Sequence, residues 1–280
     1  MTTSTNRIAL VTGASSGIGL VTAQALAKSG YRVFGTSRKP VASPPGVTML
    51  ICDVTNDASV RALIEDIMKQ AGRIDLVVNN AGIGLLGGAE ESSIAQAQRL
   101  FDVNVFGVAR VVNAVLPVMR KQQRGRIVNM SSILGLIPSP YNAFYAATKH
   151  AIEGYTESLD HELRAFGRRA VLVEPGVTRT AFEENLTRAD QPLPAYAVER
   201  ARSESLMRKW VEAGDPPQVV ADTVVKAATA SKPKLRYAAG KQSGKVRSLR
   251  RFMPEGVVDS ILRKFNEFPA QPEKIAVTSA

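Results

Sequence analysis

The stretch RIVNMSSILGLIPSPYNAFYAATKHAI, residues 126–152, indicates a strand, a loop and a helix in succession. Tyr145 and Lys149 are four positions apart in the helical part, so they lie on one helix face, one turn apart. A tyrosine phenol ordinarily titrates near ~10, and an ammonium group held close to it lowers that pKa. The pair is therefore a way to build a general acid/base, and Ser132 can place its hydroxyl over the same spot. Taken alone, the pair is more simply a surface tyrosine and a solvated lysine, so its interpretation depends on the motifs upstream.

A glycine-rich turn follows the first predicted strand. Residues 7–12 (RIALVT) indicate a buried strand, TGASSGIG follows with Gly13, Gly17 and Gly19, and residues 21–29 suit a helix. Glycines let backbone N–H groups approach an anion, and a helix N-terminus favours negative charge, so the arrangement suits a dinucleotide pyrophosphate. The spacing Gly-x-x-x-Gly-x-Gly departs from the usual Gly-x-Gly-x-x-Gly, and a tight turn in an ordinary α/β protein would look the same.

The same turn also matches Gly-x-Ser-x-Gly, the nucleophile elbow of α/β-hydrolases, through Gly13, Ser15 and Gly17. That elbow needs an acid and then a histidine later in the chain. The only two histidines, His150 and His161, both fall in the helix predicted over residues 141–166. Because a catalytic histidine usually comes from a loop, the hydrolase interpretation is disfavoured.

The ends of the second and third predicted strands bear on cofactor choice. Residues 31–36 indicate the second strand, which ends at Ser37 and Arg38 and carries no acid to bind a ribose 2′-hydroxyl. Arg38 is instead placed to pair with a 2′-phosphate, unless it is simply a solvated loop arginine. Residues 47–51 indicate the third strand, and Asp53 after it either accepts a bond from an adenine amino group or braces the turn. The pattern favours NADP(H), with NAD(H) possible.

The remaining chain keeps the alternation of strands and helices. The segments are a helix over 57–70, a strand over 75–78 followed by Asn79-Asn80-Ala81-Gly82, a helical region over 92–119 with a possible break at Asn104 and Gly107, a strand over 170–173, and a last strand over 235–238. Two amides after a central strand can bridge neighbouring strands. The alternation predicts an α/β single-domain Rossmann fold, a doubly wound parallel sheet of about seven strands with helices on both faces.

Length and composition agree with one soluble domain. The chain has 280 residues, 45% of them hydrophobic, and its single cysteine, Cys52, follows an apolar run and is expected in the core. The start, MTTSTNR, lacks the form of a signal peptide. Residues 103–118 are apolar but interrupted by Asn104, Arg110 and Asn113, so no membrane span is expected. A reducing, cytoplasmic setting is the expectation, and no metal site is predicted.

With these motifs in order, the chain resembles the classical type of the short-chain dehydrogenase/reductase family. The matching positions are Thr12-Gly13-(x)3-Gly17-Ile18-Gly19, Asp53, Asn79-Asn80-Ala81-Gly82, Asn104, Ser132, Tyr145-(x)3-Lys149 and Pro175-Gly176-(x)3-Thr180. They cover residues 7–180, and the helix and strand after Pro217 extend the match to residue 239. Each motif is weak alone, but the ordered set at family spacing is specific.

The resemblance implies a role for each matching residue. Tyr145 would be the general acid/base, Lys149 would lower its pKa and bind the nicotinamide ribose, and Ser132 rather than Ser131 would bind the substrate oxygen. Asn104 would hold a water of the proton relay. The cofactor-binding residues would be Gly13, Ser15, Ser16, Gly17, Ile18, Gly19, Ser37, Arg38, Asp53, Val54, Asn80, Ala81, Gly82, Tyr145, Lys149, Pro175, Gly176, Val177 and Thr180.

The implied activity is NADP(H)-dependent interconversion of a carbonyl and an alcohol. The stretch from Tyr141 through the sequence FEEN is similar to the branch that acts on steroids, retinoids and other apolar alcohols. The alternatives are a 3-oxoacyl-carrier-protein or CoA reductase, and a dinucleotide-sensing binding protein without turnover. A homodimer or homotetramer is expected by analogy with the family.

The substrate end of the site is expected in the variable regions. Residues 181–214 would form either a mobile lid with an apolar underside or an ordinary helix packed on the core. The predicted substrate-binding residues are Ser132, Leu134, Tyr141, Tyr145 and Phe182.

The chain from residue 241 to residue 280 extends beyond the predicted domain of residues 1–240. Residues 232–251 contain eight basic residues and no acid, and residues 254–268 place Val257, Val258, Ile261, Leu262 and Phe265 on one helical face. We expect this helix to pack on the lid or on a neighbouring subunit. The alternatives are contact with an anionic membrane or with an acidic carrier or phosphate-bearing substrate. Nucleic acid is disfavoured because few aromatics interleave the basic residues.

Overall fold

The computed structural model describes residues 7–182 and 185–267. Some predicted features lie partly outside the described residues. They are the N-terminal stretch before residue 7, residues 183 and 184 of the lid, and the tail from residue 268 onward.

The described residues contain nine strands and nine α-helices. In chain order they are β1 Arg7–Val11, α1 Gly17–Lys28, β2 Tyr31–Ser37, β3 Val47–Ile51, α2 Asp57–Ala71, β4 Leu76–Asn79, β5 Leu85–Leu86, α3 Ile94–Phe101, α4 Gly107–Gln122, β6 Arg126–Met130, α5 Ala143–Arg164, β7 Arg169–Pro175, β8 Thr187–Arg188, α6 Ala197–Glu212, α7 Pro217–Thr229, β9 Arg236–Ala239, α8 Ser243–Phe252 and α9 Glu255–Phe265.

Seven of the strands form one parallel sheet in the order β3-β2-β1-β4-β6-β7-β9. This confirms the predicted doubly wound sheet of seven strands. From β1 the chain moves outward through β2 to β3, and from β4 it moves outward in the other direction. The strand order therefore reverses between β1 and β4, and in open α/β sheets ligands bind in the crevice outside the carboxyl ends of strands at such a point. The glycine-rich turn after β1 and the Asn79-Asn80-Ala81-Gly82 segment after β4 flank this crevice.

The sheet is buried on both faces, which explains why its strands are almost continuously apolar. Because successive side chains of a strand point to opposite faces, Ile8 and Leu10 join the core under α2, α4 and α5. Ala9 and Val11 join the core under α1 and α7. Cys52 is buried, as predicted.

The helical region predicted over residues 92–119 is interrupted as the sequence suggested. A π-helical turn, Asp102–Phe106, separates α3 from α4 and contains the buried Asn104. Within the described residues, one helical segment, Ile94–Gln122, is long and apolar enough to cross a bilayer. The expectation that no stretch reaches this criterion is therefore wrong, although Val111, Val112 and Val115 of the segment are buried in the domain core.

Several boundaries differ from the prediction. Helix α5 begins at Ala143 rather than 141, because Tyr141 has a left-handed backbone with φ 58°, and it ends at Arg164 rather than 166, before Gly167 at φ 70°. The last strand, β9, lies one residue later than predicted. Helix α8 was not predicted, and neither was the two-stranded parallel sheet of β5 and β8. Both depend on contacts between segments far apart in the chain, which local propensity does not encode.

Candidate active site

The glycine-rich turn is shaped by close backbone approaches. Gly13 has a left-handed φ of 65°, and a Cβ on it would lie 2.9 Å from the Cα of Ala81. A Cβ on Gly19 would overlap the carbonyl oxygen of Gly13. Both positions therefore require glycine, and the turn lies directly against the segment that follows β4. Ser15 and Ser16 are exposed on the turn, and Ile18 packs partly buried against the core.

Two asparagines after β4 bridge neighbouring strands, which confirms that prediction. Asn79 Nδ2 donates to Asn129 Oδ1 on β6 at 2.8 Å, across the buried centre of the sheet. Asn80 Nδ2 donates to the carbonyl oxygens of Thr12 and Gly13, both at 3.0 Å. The backbone N–H groups of Asn80 and Ala81 donate to Thr12 Oγ1, each at 3.0 Å. These bonds hold the two walls of the crevice together, and the cofactor-binding role of Asn80 stays a prediction.

The structure brings Tyr145, Lys149 and Ser132 together at the carboxyl end of β6. The Tyr145 hydroxyl lies next to that of Ser132, whose Oγ accepts the N–H of Leu134 at 3.1 Å. Lys149 is buried, its Nζ donates to the carbonyl oxygen of Met130 at 3.0 Å, and it lies 5.6 Å from the centroid of the Tyr145 ring. The neighbouring Ser131 is buried, and its Oγ has no partner among the described residues.

The ionisation of this pair differs from the sequence-based expectation. Burial raises the pKa of Tyr145 to about 12, because loss of hydration outweighs the hydrogen bond with Ser132. Burial lowers the pKa of Lys149 to about 8, since the ammonium is the form that loses hydration. The phenol is thus protonated at neutral pH, and the net shift of its pKa is upward, whereas the sequence analysis predicted a lowering. A protonated phenol at this position is suited to donate a proton.

Asn104 acts on the site through the backbone. Its Oδ1 accepts the N–H of Ile83 and its Nδ2 donates to the carbonyl of Ile83, both at 2.9 Å. Nδ2 also donates to Thr148 Oγ1 at 3.2 Å, and Thr148 in turn donates to the carbonyl of Tyr145 at 2.7 Å. A π-helical turn often marks a functional site. Here it ties the loop after β4 to the helix that carries Tyr145, so the side chain of Asn104 holds protein groups, and its role in holding a water stays a prediction.

The residues predicted near the adenosine end lie at the ends of β2 and β3. Asp53 Oδ1 accepts from the N–H of Thr55 at 2.9 Å and from Thr55 Oγ1 at 2.8 Å, so this oxygen braces the turn. These bonds hold the pKa of Asp53 below its usual value, and the charge of Arg38 contributes less. Arg38 is exposed and forms no ion pair with another described residue. Ser37 Oγ accepts the N–H of Lys39 at 3.4 Å, and the Val54 side chain is buried against Gly107, so only its backbone can face a ligand.

The segment after β7 closes the other side of the crevice. The N–H of Gly176 donates to Ala239 O at 2.8 Å, which holds the buried Pro175 and Gly176 on β9. Thr180 lies across the crevice from the glycine-rich turn, and a Cβ on Gly17 would lie 3.7 Å from the Cβ of Thr180. The carbonyl oxygen of Val177 accepts a hydrogen bond from the N–H of Asp215 at 3.0 Å.

Apolar side chains cover the catalytic tyrosine. The Phe182 ring lies 5.9 Å from the Tyr145 ring, centroid to centroid, with the planes tilted by 51°. Gly84 lies beneath this cover, because a Cβ on it would overlap Leu186 and lie 3.0 Å from the Phe182 ring. Tyr141 lies at the edge of the cover, where its ring meets that of Tyr196 edge-on at 6.5 Å. The carbonyl of Tyr141 accepts the N–H of Gly87 at 2.8 Å.

The sequence analysis did not identify the residues that hold this apolar cover in place. Glu91 is fully buried; its side chain accepts the N–H groups of Gly88 and Leu193, each at 2.8 Å, and forms an ion pair with Arg200. Ser93 donates through its N–H and its Oγ to Asp190, at 2.8 and 2.6 Å. The partners are about a hundred residues apart, so no local pattern marks them. The glycines of the GIGLLGG stretch were the one available signal of close packing there.

The crevice between the glycine-rich turn and Thr180 fits a nicotinamide dinucleotide. A side chain at position 17 would narrow the space between the glycine-rich turn and Thr180. The first turn of α1 carries no acidic residue, and no side chain caps its N-terminus. Backbone N–H groups at such a terminus are free to hold a pyrophosphate. When bound, the cofactor supplies or accepts the hydride.

Comparison with known proteins identifies the family. Residues 7–191 match the family model described as short chain dehydrogenase. The chain is 40% identical to a 3-ketodihydrosphingosine reductase of Bacteroides thetaiotaomicron over 236 residues, covering 84% of this chain and 88% of the relative. It is 36% identical to retinol dehydrogenase 8 of Bos taurus over 282 residues, covering 89% and 86%. A short-chain dehydrogenase/reductase from Burkholderia phymatum, crystallised with NAD, superimposes with a TM-score of 0.78 at 26% identity, covering 96% of this chain and 98% of that one.

The chain belongs to the short-chain dehydrogenase/reductase family. It is an enzyme of the alcohol dehydrogenase and ketone reductase type, with a nicotinamide dinucleotide as its cofactor class. The alternative of a binding protein without turnover is therefore set aside.

Proposed function

We propose that the enzyme uses NADP(H) to interconvert a carbonyl and a secondary or primary alcohol on an apolar, lipid-like substrate. The observation that carries this proposal is the apolar cover over the proton donor, with the tilted Phe182 ring beside Tyr145 and Leu186 packed against Gly84. An aromatic ring at this distance favours an apolar chain next to the reacting carbon, because a polar substrate group there would lose hydration without a partner.

The names of two relatives support the same substrate class. The 3-ketodihydrosphingosine reductase acts, by its name, on a long-chain ketone, and retinol dehydrogenase 8 on an apolar alcohol. Fold-level likeness alone is a weak guide to substrate. The support lies in the agreement of these names with the apolar cover.

The residues of this chain supply position and a proton. Ser132 and Tyr145 place two hydroxyl groups at one spot, where a substrate oxygen can accept from both. In ketone reduction Tyr145 Oη gives its proton to that oxygen, and in alcohol oxidation it takes a proton back. The Lys149 ammonium favours the phenolate that remains after proton transfer. Asn104 holds the helix register through Thr148, and so acts as a positioning residue.

The preference for NADP(H) is supported by the end of β2. Arg38 is exposed there without an ion-pair partner among the described residues, and the strand carries no acid beside it. A guanidinium in this position suits a 2′-phosphate through charge-assisted bonds.

A 3-oxoacyl reductase acting on a carrier-protein or CoA thioester is the second candidate. The observation that favours it is the stretch of residues 232–251, with eight basic residues and no acid, which suits an acidic carrier. Its substrates are also ketones, so the chemistry at Tyr145 would be the same.

A substrate panel tests the proposal. Purified enzyme is assayed with NADPH against a long-chain 3-keto sphingoid base, all-trans-retinal, a steroid ketone, acetoacetyl-CoA and a short hydrophilic ketone. We expect the highest kcat/KM on one of the long apolar substrates. A clear preference for acetoacetyl-CoA would favour the second candidate, and equal turnover of the short hydrophilic ketone would refute the apolar assignment.

The variant Tyr145→Phe tests the assignment of Tyr145 as the proton donor. It removes one hydroxyl and should abolish turnover while NADPH binding stays within about twofold, since the ring and its packing remain. Near-normal turnover in this variant would contradict the assigned acid.

A further inference from the structure

Five apolar side chains form an exposed surface on the C-terminal extension. They are Phe252 and Met253 at the end of α8, and Val257, Ile261 and Phe265 on α9; we refer to them as the tail surface. The three on α9 recur every four residues, so they lie along one side of the helix. Phe252 is 76% exposed, which is unusual for a side chain of this size. Val258, on the same face of α9, is buried and holds the helix on the protein.

The same extension carries a strong positive charge. Residues 241–264 contain seven basic residues and two acidic ones, a net charge of +5. Lys245 and Arg251 are exposed on α8, and the guanidinium of Arg251 lies 5.8 Å from the centroid of the Phe252 ring. One acid, Asp259, is paired with Arg263 at 3.0 Å. Apolar and basic side chains thus occupy the same short pair of helices.

The tail surface adjoins the cover of the active site. Phe265 stacks on Trp210 of α6, and α8 packs against the loop that follows Ser132. Ser243, at the start of α8, donates through Oγ to the carbonyl of Glu174 at 2.6 Å. The extension is therefore attached to the same elements that enclose the substrate.

We propose that the tail surface docks on a bilayer containing anionic lipids, with the cover of the active site next to the membrane. A helix pair with apolar and basic side chains is suited to lie in the interface, where the apolar groups enter the acyl boundary and the cations meet anionic headgroups. An acidic carrier protein would use the basic residues but leave Phe252 and Ile261 in water. A second copy of the chain would bring two surfaces of net positive charge together. The anionic bilayer satisfies both the charge and the apolar side chains.

Vesicle co-sedimentation of the full chain tests this proposal without any assay of turnover. Phosphatidylcholine vesicles with and without phosphatidylglycerol are compared at low and high salt. We expect binding only with phosphatidylglycerol, and weaker binding at high salt because surface charges are screened. Since no substrate is used, a failure here leaves the proposed function standing.

Two double variants separate the apolar contribution to vesicle binding from the electrostatic contribution. Phe252→Ser with Ile261→Ser removes apolar contact, and Arg250→Gln with Arg251→Gln removes charge; each should weaken vesicle partitioning roughly tenfold or more. The matched controls lie elsewhere on the surface: Phe166→Ser, and Arg61→Gln with Lys69→Gln, should leave partitioning unchanged.

Three results would overturn the proposal. The first is a native protein that does not bind the anionic vesicles. The second is vesicle binding that depends on Arg250 and Arg251 but not on Phe252 and Ile261, which would show a purely electrostatic contact in which the apolar side chains take no part. The third is a native oligomer that the apolar double variant dissociates in the absence of vesicles, which would show that the tail surface is a subunit contact.

Discussion

Phe265 lies face to face on Trp210, with 4.5 Å between the ring centroids and 18° between the planes. This stack joins the C-terminal helix α9 to α6, the helix over the substrate side of the active site. It agrees with the expectation that the tail packs on the lid, although Val257 and Ile261 of the predicted apolar face stay partly exposed. The extension is therefore attached to α6 through this stack.

Phe265→Ala should loosen α6 and raise KM for a long apolar substrate about two- to tenfold, because an aromatic pair contributes roughly 0.5–1.5 kcal/mol beyond its burial. The dissociation constant of NADPH should not change. Trp210 is the only tryptophan in the chain, so its emission reports the stack directly and should shift to longer wavelength in the variant. Phe252→Ala is the control, since Phe252 is exposed and should leave the emission unchanged. An unchanged emission in Phe265→Ala would contradict the stack.

Ketone reduction should be limited at high pH by Lys149. Its pKa is lowered to about 8 by burial, so the ammonium is present below that pH and lost above it. At saturating NADPH, kcat/KM should be level below about pH 8 and then fall up to tenfold per pH unit, as expected when one protonated group is required. In Lys149→Arg, whose guanidinium stays charged, any residual activity should keep a level profile through this range. The same fall in both proteins would assign the titration to another group.

Arg38→Ala should separate the two cofactors. Losing a charge-assisted contact of roughly 1.5–3 kcal/mol weakens NADPH binding about ten- to a hundredfold, while NADH, which lacks the 2′-phosphate, should bind as before. Fluorescence titration with each cofactor measures the effect. Arg32→Ala, an exposed arginine near the other end of β2, is the control and should affect neither cofactor. Equal affinity of the native enzyme for NADPH and NADH would refute the preference.

A buried acid cluster behind the site should make stability depend on pH. Arg236 of β9 contacts Glu153, Glu157 and Glu174, and Glu153 and Glu174 share one nitrogen of its guanidinium. One cation cannot neutralise both buried acids. Burial is the main cause that raises the pKa of Glu174 to about 7; the charge of Arg247 lowers this pKa and the charge of Glu157 raises it.

The sign of the effect follows from this raised pKa. Between its ordinary value of 4.5 and about 7, the folded state binds more protons at Glu174 than the unfolded state does. The contribution of Glu174 to the free energy of unfolding is therefore present at low pH and is lost as pH rises to about 7. Glu174→Gln removes this dependence, so the Tm of the variant relative to the native enzyme should rise from pH 5 to pH 8. The exposed Glu162→Gln is the control and should show no such trend. A constant difference in Tm would mean that Glu174 stays ionised throughout.

The sequence by itself determined the sheet and the catalytic constellation. Continuous apolar runs around 7–12, 31–36, 75–78 and 126–130 predict buried parallel strands, because such strands have no solvent-facing side. Gly13, Gly17 and Gly19, and the four-residue spacing of Tyr145 and Lys149, are local patterns whose geometry follows from a turn and a helix. These features were predictable because strand and helix periodicity act over a few residues.

Only the tertiary structure decided the pKa values of Tyr145 and Lys149 and the packing of other side chains around them. The raised pKa of Tyr145 and the lowered pKa of Lys149 come from burial by surrounding elements, and hydration is not encoded in a spacing of four residues. The bonds of Asn80 Nδ2 to the carbonyl oxygens of Thr12 and Gly13 join segments far apart in the chain. The buried ion pair of Glu91 with Arg200 and the stack of Phe265 on Trp210 join residues far apart in the chain. Such contacts depend on how the whole fold brings distant segments together, which no local pattern specifies.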